Sequence, residues 1–311
     1  MTRQLAKILA DSISPDGVRL TTMQVEMPRI VLAEFNTHRQ LRADDPTDDM
    51  IAPFSRNSAS SRAIPIEKML QRVDDDPYIP ETWDRNGSGM QGHGPLDDES
   101  AAKCELVWLH ARDQAVTAAK ALLALGLHKQ TTNRLLEPFM WHTVICSATE
   151  WSNFFNLRCH TAAHPAIRNT AEHARAAMDA STPKLLRYGA WHLPLVDERD
   201  DRVRLSDKVK LSVARCARVS YLTHDGVRDP SKDIELHDSL LAAGHMSPFE
   251  HVARPMAVDD VTREWNRTSG LVGFDALDID VREHFSGNFR GWVQYRKTIA
   301  GEADILGSRN Q

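Results

Sequence analysis

Residues Phe54-Ser-Arg-Asn-Ser-Ala-Ser-Ser-Arg-Ala-Ile-Pro65 are too polar for an ordinary core element and lack the glycine of a simple turn. Ser55–Arg62 gathers four serines (Ser55, Ser58, Ser60, Ser61), Asn57 and the guanidiniums of Arg56 and Arg62. Hydroxyls, an amide and planar guanidinium forks are the groups that hold phosphate oxygens and base edges. Taken alone, the stretch also fits a solvated Ser/Arg linker.

Working outward, Val18–Met27 alternates enough to predict a strand. Pro28 suits a helix start, and Pro28–Arg39 is read as a helix with Ile30, Glu34 and His38 on one face. A carboxylate and an imidazole on a face that opens with isoleucine suggest a buried polar site, with a surface pair as the alternative. The Asp-rich stretch Gln40–Pro53 separates Arg39 from Ser55 and reads as a solvated loop. Downstream, helices are expected over Ile64–Arg72, Asp97–Leu125, Ala148–Arg158, Ala163–Ala180, Lys208–Tyr221 and Ser231–Ala243. Strands are expected over His142–Thr149 and Val252–Val258.

The 311 residues suit one large domain or two smaller ones, and 41% hydrophobic content supports a core. A net charge of −5 and a pI near 6.3 argue against a broad nucleic-acid-binding surface but leave room for local arginine clusters. The sequence has no apolar run of membrane-spanning length, no signal-peptide core at the N-terminus and no CxxC pair among its four cysteines. These features predict a cytoplasmic protein with reduced thiols and no membrane partner.

Two further stretches carry more information: Trp151-Ser-Asn-Phe-Phe-Asn-Leu-Arg158 and Gly244-His-Met-Ser-Pro-Phe-Glu-His251. With Thr37-His-Arg39 and Ser55–Arg62, they resemble the motifs of the flavin-dependent thymidylate synthases (the ThyX family) over roughly Ile13–Ala180 and Val213–Arg296. The resemblance implies an α+β fold with antiparallel and mixed sheets flanked by long helices. It also implies transfer of a one-carbon unit from methylenetetrahydrofolate to C5 of a pyrimidine deoxynucleotide, dUMP in the leading reading. FAD would be the redox cofactor, NADPH a candidate reductant, and a homo-oligomer, dimer or tetramer, the working state. A dUMP or dCMP hydroxymethylase and a catalytically inactive flavin- or nucleotide-binding relative are the alternatives.

Carried over residue by residue, the resemblance makes Arg158, Ser60 and His38 the catalytic candidates. His38, Arg39, Asn153, His245, Ser247 and Glu250 would face flavin or folate. Glu34, Ser55, Asn57, Ser58, Ser60, Ser61, Arg62, Arg134 and Arg158 would line the nucleotide site. No metal is expected. A Cys159-His160…His164 zinc cluster is the weaker reading, since Pro165 interrupts a regular helix there. The departures are Thr37 for a family arginine, Ser58 for a glutamate, Glu34 for a glutamine and Thr149 for a further arginine.

Motif order also differs. The Gly244–His251 block precedes the Arg-His-Arg signature in the family and follows it here. A circular permutation is one explanation. A duplication is the other, with one ThyX-like half in residues 1–200 and a second in 201–311. In that reading Phe289-Arg-Gly-Trp-Val-Gln-Tyr-Arg296 is a worn copy of the Arg-His-Arg helix, and both halves contribute to one site.

Overall fold

In the computed structural model, residues 3, 5–37, 54–224, 226, 228–257 and 287–302 are described. His38, Arg39, the 41–53 stretch and residues 258–286 lie outside them.

The main sheet holds β1 (Ala6–Ile13), β2 (Arg19–Pro28), β3 (Ser55–Ser58), β4 (Trp141–Ala148) and β5 (Lys184–Leu185), in the order β3-β4-β2-β1-β5. The first four pair antiparallel and β5 joins β1 in parallel, so the sheet is mixed. β6 (Ala253–Pro255) and β7 (Trp292–Gln294) form an antiparallel ribbon. The described helices are α1 (Leu32–Asn36), α2 (Ile66–Asp75), α3 (Asp98–Ala124), α4 (Lys129–Thr132), α5 (Ser152–Arg158), α6 (Pro165–Asp179), α7 (Leu205–Ala217) and α8 (Pro230–Ala242). The fold is α+β, as expected.

The two-residue period of β2 and β4 divides their side chains between two faces. Met23, Val25, Met27, Val144, Cys146 and Ala148 pack with Phe154, Ile167, Ala171 and Ala174 of α5 and α6. On the other face Ile145 packs with Leu195, Cys216 and Val219. Thr22 and Ser147 on that second face are fully buried as well. The sheet is thus covered on both sides, and one covered side is polar at its middle. Leu20 packs with Ala253, Phe289 and Trp292, so the segments after residue 201 close over the strands before it.

Several helix expectations are corrected. Pro28 ends β2, and a 3-10 turn, Arg29–Val31, precedes the short α1. The tighter turn breaks the i, i+4 spacing that placed Ile30 beneath Glu34, and Ile30 is exposed. Ala148 belongs to β4 and α5 starts at Ser152, so Thr149 is not on the helix that carries Asn153. Tyr221 lies on a 3-10 turn after α7. Phe289–Arg296 forms β7 and the start of a 3-10 turn, where a helix copy was expected. β-branched and aromatic residues at the ribbon, with Trp292 and Val293 fully buried, favour the strand. Helix ends follow local chemistry more closely. Asp97 accepts from the Ser100 N–H at the start of α3. Gly126 and Gly244 take positive φ after α3 and α8 with the paired backbone bonds of a Schellman cap.

Behind α7 sits a buried ion network. Arg215 donates to Asp200 (2.6 and 2.8 Å), to Asp233 (2.9 Å) and to the Leu195 carbonyl (2.9 Å). Arg218 bonds the other Asp233 oxygen at 2.8 Å. Every lone pair that matters is met, so the fork ties α7 and α8 to the 195–200 segment. Its hydrogen bonds hold the Asp200 carboxyl below the usual carboxylate range. Arg215→Ala should therefore lower unfolding stability in urea by about 3 kcal/mol, because buried Asp200 loses its bidentate partner and Asp233 keeps only Arg218. The Asp200 contribution is present above the unfolded carboxylate value and fades as pH falls through its lower folded value. Asp200→Asn should flatten the stability profile in that acid range.

Candidate functional site

β3 runs along β4 with Ser55 opposite Ser147 and Asn57 opposite Ile145. Alternation sends Ser55 and Asn57 to the polar covered face. Arg56 points the other way and donates to the Asn36 carbonyl at 2.9 Å, capping α1 just before the His38-Arg39 stretch. The 3-10 turn Ser247–Glu250 packs on β3. There Asn57 Nδ2 donates to Ser247 Oγ (3.3 Å), and Asn57 Oδ1 lies 2.9 Å from His251 Nε2. His251 Nδ1 is 2.8 Å from Ser147 Oγ, which shares a short hydrogen bond with Thr22 Oγ1. Thr22 also meets His192 Nε2 at 2.8 Å, and His192 Nδ1 meets Ser12 Oγ at 2.8 Å. Burial pushes both imidazoles down to about 3. They are neutral at physiological pH, each ring having one donor and one acceptor nitrogen.

Ser55 is held from the same side. It donates to Asn288 Oδ1 (3.0 Å) and accepts from Gln294 Nε2 (3.1 Å), while Glu250 pairs with Arg296. Residues 190 or more positions apart in the chain therefore share one buried polar layer.

Beyond β3 the chain turns at Ser60, whose N–H donates to the Ser220 carbonyl (3.1 Å). Ser61 Oγ donates to Glu137 Oε1 at 2.8 Å. The same carboxylate receives Arg29 (3.2 Å) and Arg134 (3.4 Å). Arg62 and Arg134 are exposed, and Ser58 and Ser60 are half-buried. A second neighbourhood pairs Arg158 Nη1 with Glu34 Oε2 at 3.4 Å, joining α5 to α1. Arg158 Nε is buried without a hydrogen-bond partner among the described residues. Asn153 lies half-buried on the same helix, and His245 is exposed just past the α8 cap.

The expected residues thus fall into three groups: Asn57 with Ser247, Ser61 with Arg134, and Glu34 with Arg158. His38 and Arg39 are outside the described residues. A cavity of about 590 Å³ beside Glu26, Arg72, Asp75 and Trp141 is lined by none of them. Sequence reading passed over Thr22, Ser147, His192 and Glu137, which hold the groups together. Thr22 and Ser147 show only as polar residues in strand patterns, Glu137 lies beside a proline, and His192 lies in an irregular stretch. It also quoted His251 without giving it a role. His160 and His164 each use Nδ1 to accept a backbone N–H two residues on, and among the described residues no cluster could hold a metal.

No protein-family model matches this chain, and neither does any curated protein.

The buried histidines make a pH prediction. Unfolded imidazoles titrate near 6.5, whereas His192 and His251 do so near 3 when folded. Between these values only the unfolded chain takes up the protons, so stability is complete above about 6.5 and is lost on acidification. Each ring contributes a slope of up to about 1.4 kcal/mol per pH unit. Urea titrations between pH 7 and pH 4 should show the loss, and His251→Gln should reduce the slope.

Proposed function

We propose that this chain is a flavin-dependent enzyme that transfers a one-carbon unit from methylenetetrahydrofolate to C5 of a pyrimidine deoxynucleotide. The reading follows the motif resemblance to the flavin-dependent thymidylate synthases. The observation that supports it best is the meeting of two of those motifs. Asn57 of the Ser55–Arg62 signature bonds Ser247 and His251 of the Gly244–His251 block, across 190 and 194 positions. Motifs unrelated in sequence, converging on one polar layer, are what a shared ligand site requires.

The residues fit nucleotide and flavin chemistry. Arg158 is one-quarter exposed and, among the described residues, has a single long ion pair and a buried Nε donor without an acceptor. A ring carbonyl oxygen is the acceptor it lacks. Arg134 and Arg62 offer donors to a phosphate, with Glu137 holding Arg134 and taking the Ser61 proton. Asn57 and Ser247 offer an amide and a hydroxyl to a ring edge. Thr149, which replaces a family arginine, accepts the Arg290 N–H at 3.1 Å, and the Arg290 guanidinium lies 3.8 Å from Glu150. In this reading Arg290, whose backbone meets Thr149, brings a cation near the position of the lost arginine. When bound, a reduced flavin would supply the hydride that completes a C5 methyl group. The chain's own part is to bind the pyrimidine carbonyl through Arg158, hold the phosphate and orient the ring edge. In this reading the enzyme works as a homo-oligomer with NADPH as reductant.

Titration with FAD, with and without dUMP, should give a saturable flavin absorbance or fluorescence change. Absence of any change in excess FAD overturns the assignment. Loss of a charged hydrogen bond costs about 1.5–3 kcal/mol. Arg158→Ala should therefore weaken dUMP or dCMP binding about tenfold or more in calorimetry, and unchanged affinity removes Arg158 from the site.

A further inference from the structure

Six side chains form one continuous series: Ser12, His192, Thr22, Ser147, His251 and Asn57, ending on Ser247. All but Asn57 and Ser247 are buried. Each neutral imidazole in it must donate from one nitrogen and accept at the other, and each hydroxyl has one proton to give. Any internal reversal would set two donors or two acceptors against each other in a site that water does not reach. Such a fault carries the full penalty of an unsatisfied buried polar group. The series therefore has two coherent settings, one for each direction.

The Asn57 amide selects between them. Its Oδ1 faces His251 Nε2 and its Nδ2 faces Ser247. His251 must then donate from Nε2 and accept Ser147 at Nδ1. Ser147 accepts Thr22, Thr22 accepts His192 Nε2–H, and His192 Nδ1 accepts Ser12. The choice of tautomer at His192 is thereby tied to the orientation of an amide at the far edge of the same sheet face.

We infer that this one-way hydrogen-bond series locks the Asn57 carboxamide with its nitrogen toward the exposed Ser247 edge, so that the site recognises an acceptor atom of its ligand. His192 and His251 are positioning residues. They touch no ligand, but they fix which end of Asn57 does. Resting on the function proposed above, the ligand atom is a carbonyl oxygen of a heteroaromatic ring, from the pyrimidine or from the flavin. If it comes from the pyrimidine, it is the oxygen at position 4, which uracil carries and cytosine replaces with an amino group, the position-2 carbonyl being common to both.

The first test needs no ligand. In protein labelled with 15N-histidine, with His192→Gln and His251→Gln for assignment, both rings should give the Nε2–H neutral tautomer from pH 6 to pH 8. Nδ1–H in both rings would mean the opposite setting and overturn the acceptor assignment. Mixed tautomers, or a cationic ring in that range, would overturn the series itself. The second test compares dUMP, dCMP and FAD on wild type and Asn57→Asp, which replaces the outward donor with an acceptor. A pyrimidine contact should give dUMP at least tenfold tighter than dCMP in wild type, narrowed or reversed in Asn57→Asp. A flavin contact should leave that ratio unchanged and weaken FAD at least tenfold. Loss of neither preference in Asn57→Asp overturns the inference. If wild type binds none of the three, the proposed function fails, and the tautomers alone decide whether the lock is real.

Discussion

The hydrogen bond between Ser147 Oγ and His251 Nδ1, 2.8 Å long and fully buried, is the joint on which the rest of the arrangement depends. β4 is flanked by β3 and β2 within the sheet, so Ser147 has no route to water. A hydroxyl in that position costs stability unless it is matched. His251 matches it and in doing so brings the 3-10 turn Ser247–Glu250 down onto β3. The same logic extends along the face: Thr22 needs His192, His192 needs Ser12, and Ser55 needs Asn288 and Gln294. Apolar packing on the opposite face supplies bulk stability. The polar face supplies register, because a hydrogen-bonded layer tolerates far less sliding than a greasy one.

Two other charged joints limit where the later segments can sit. Arg215 clamps α7 against Asp200 and Asp233, with both carboxylates buried. Glu137 collects Arg29, Arg134 and Ser61 at the far end of β3. The first joint is closed and fully satisfied, which marks it as architecture. The second is partly exposed and keeps donors to spare, which is the condition for exchanging a partner. Arg158 on Glu34 resembles the second kind, since its Nε lacks an acceptor among the described residues.

Residues on either side of position 200 share hydrophobic clusters and share the polar layer. Arg290 beside Thr149 and Ser247 beside Asn57 are contacts of the same kind.

Much of the fold was legible in the sequence. Alternation marked β2, and the expected helices over Asp97–Leu125 and Ser231–Ala243 match α3 and α8, whose ends are set by interactions within a few residues. Where local rules misled, a tertiary partner had intervened. Pro28 stayed in β2 because β4 pairs with it, and Phe289–Arg296 became strand because β6 offered an edge. The motif residues Asn57, Ser247, Arg158 and Arg134 were nameable from sequence, since their chemistry is carried by residue type. Their grouping was not. His251, His192, Ser147 and Thr22 are unremarkable as letters, and their role arises only because strands and turns nearly two hundred positions apart exclude water together. Sequence by itself determined the elements and the chemical inventory. Only the tertiary structure decided which polar groups had to satisfy one another, because that demand exists only once they are buried.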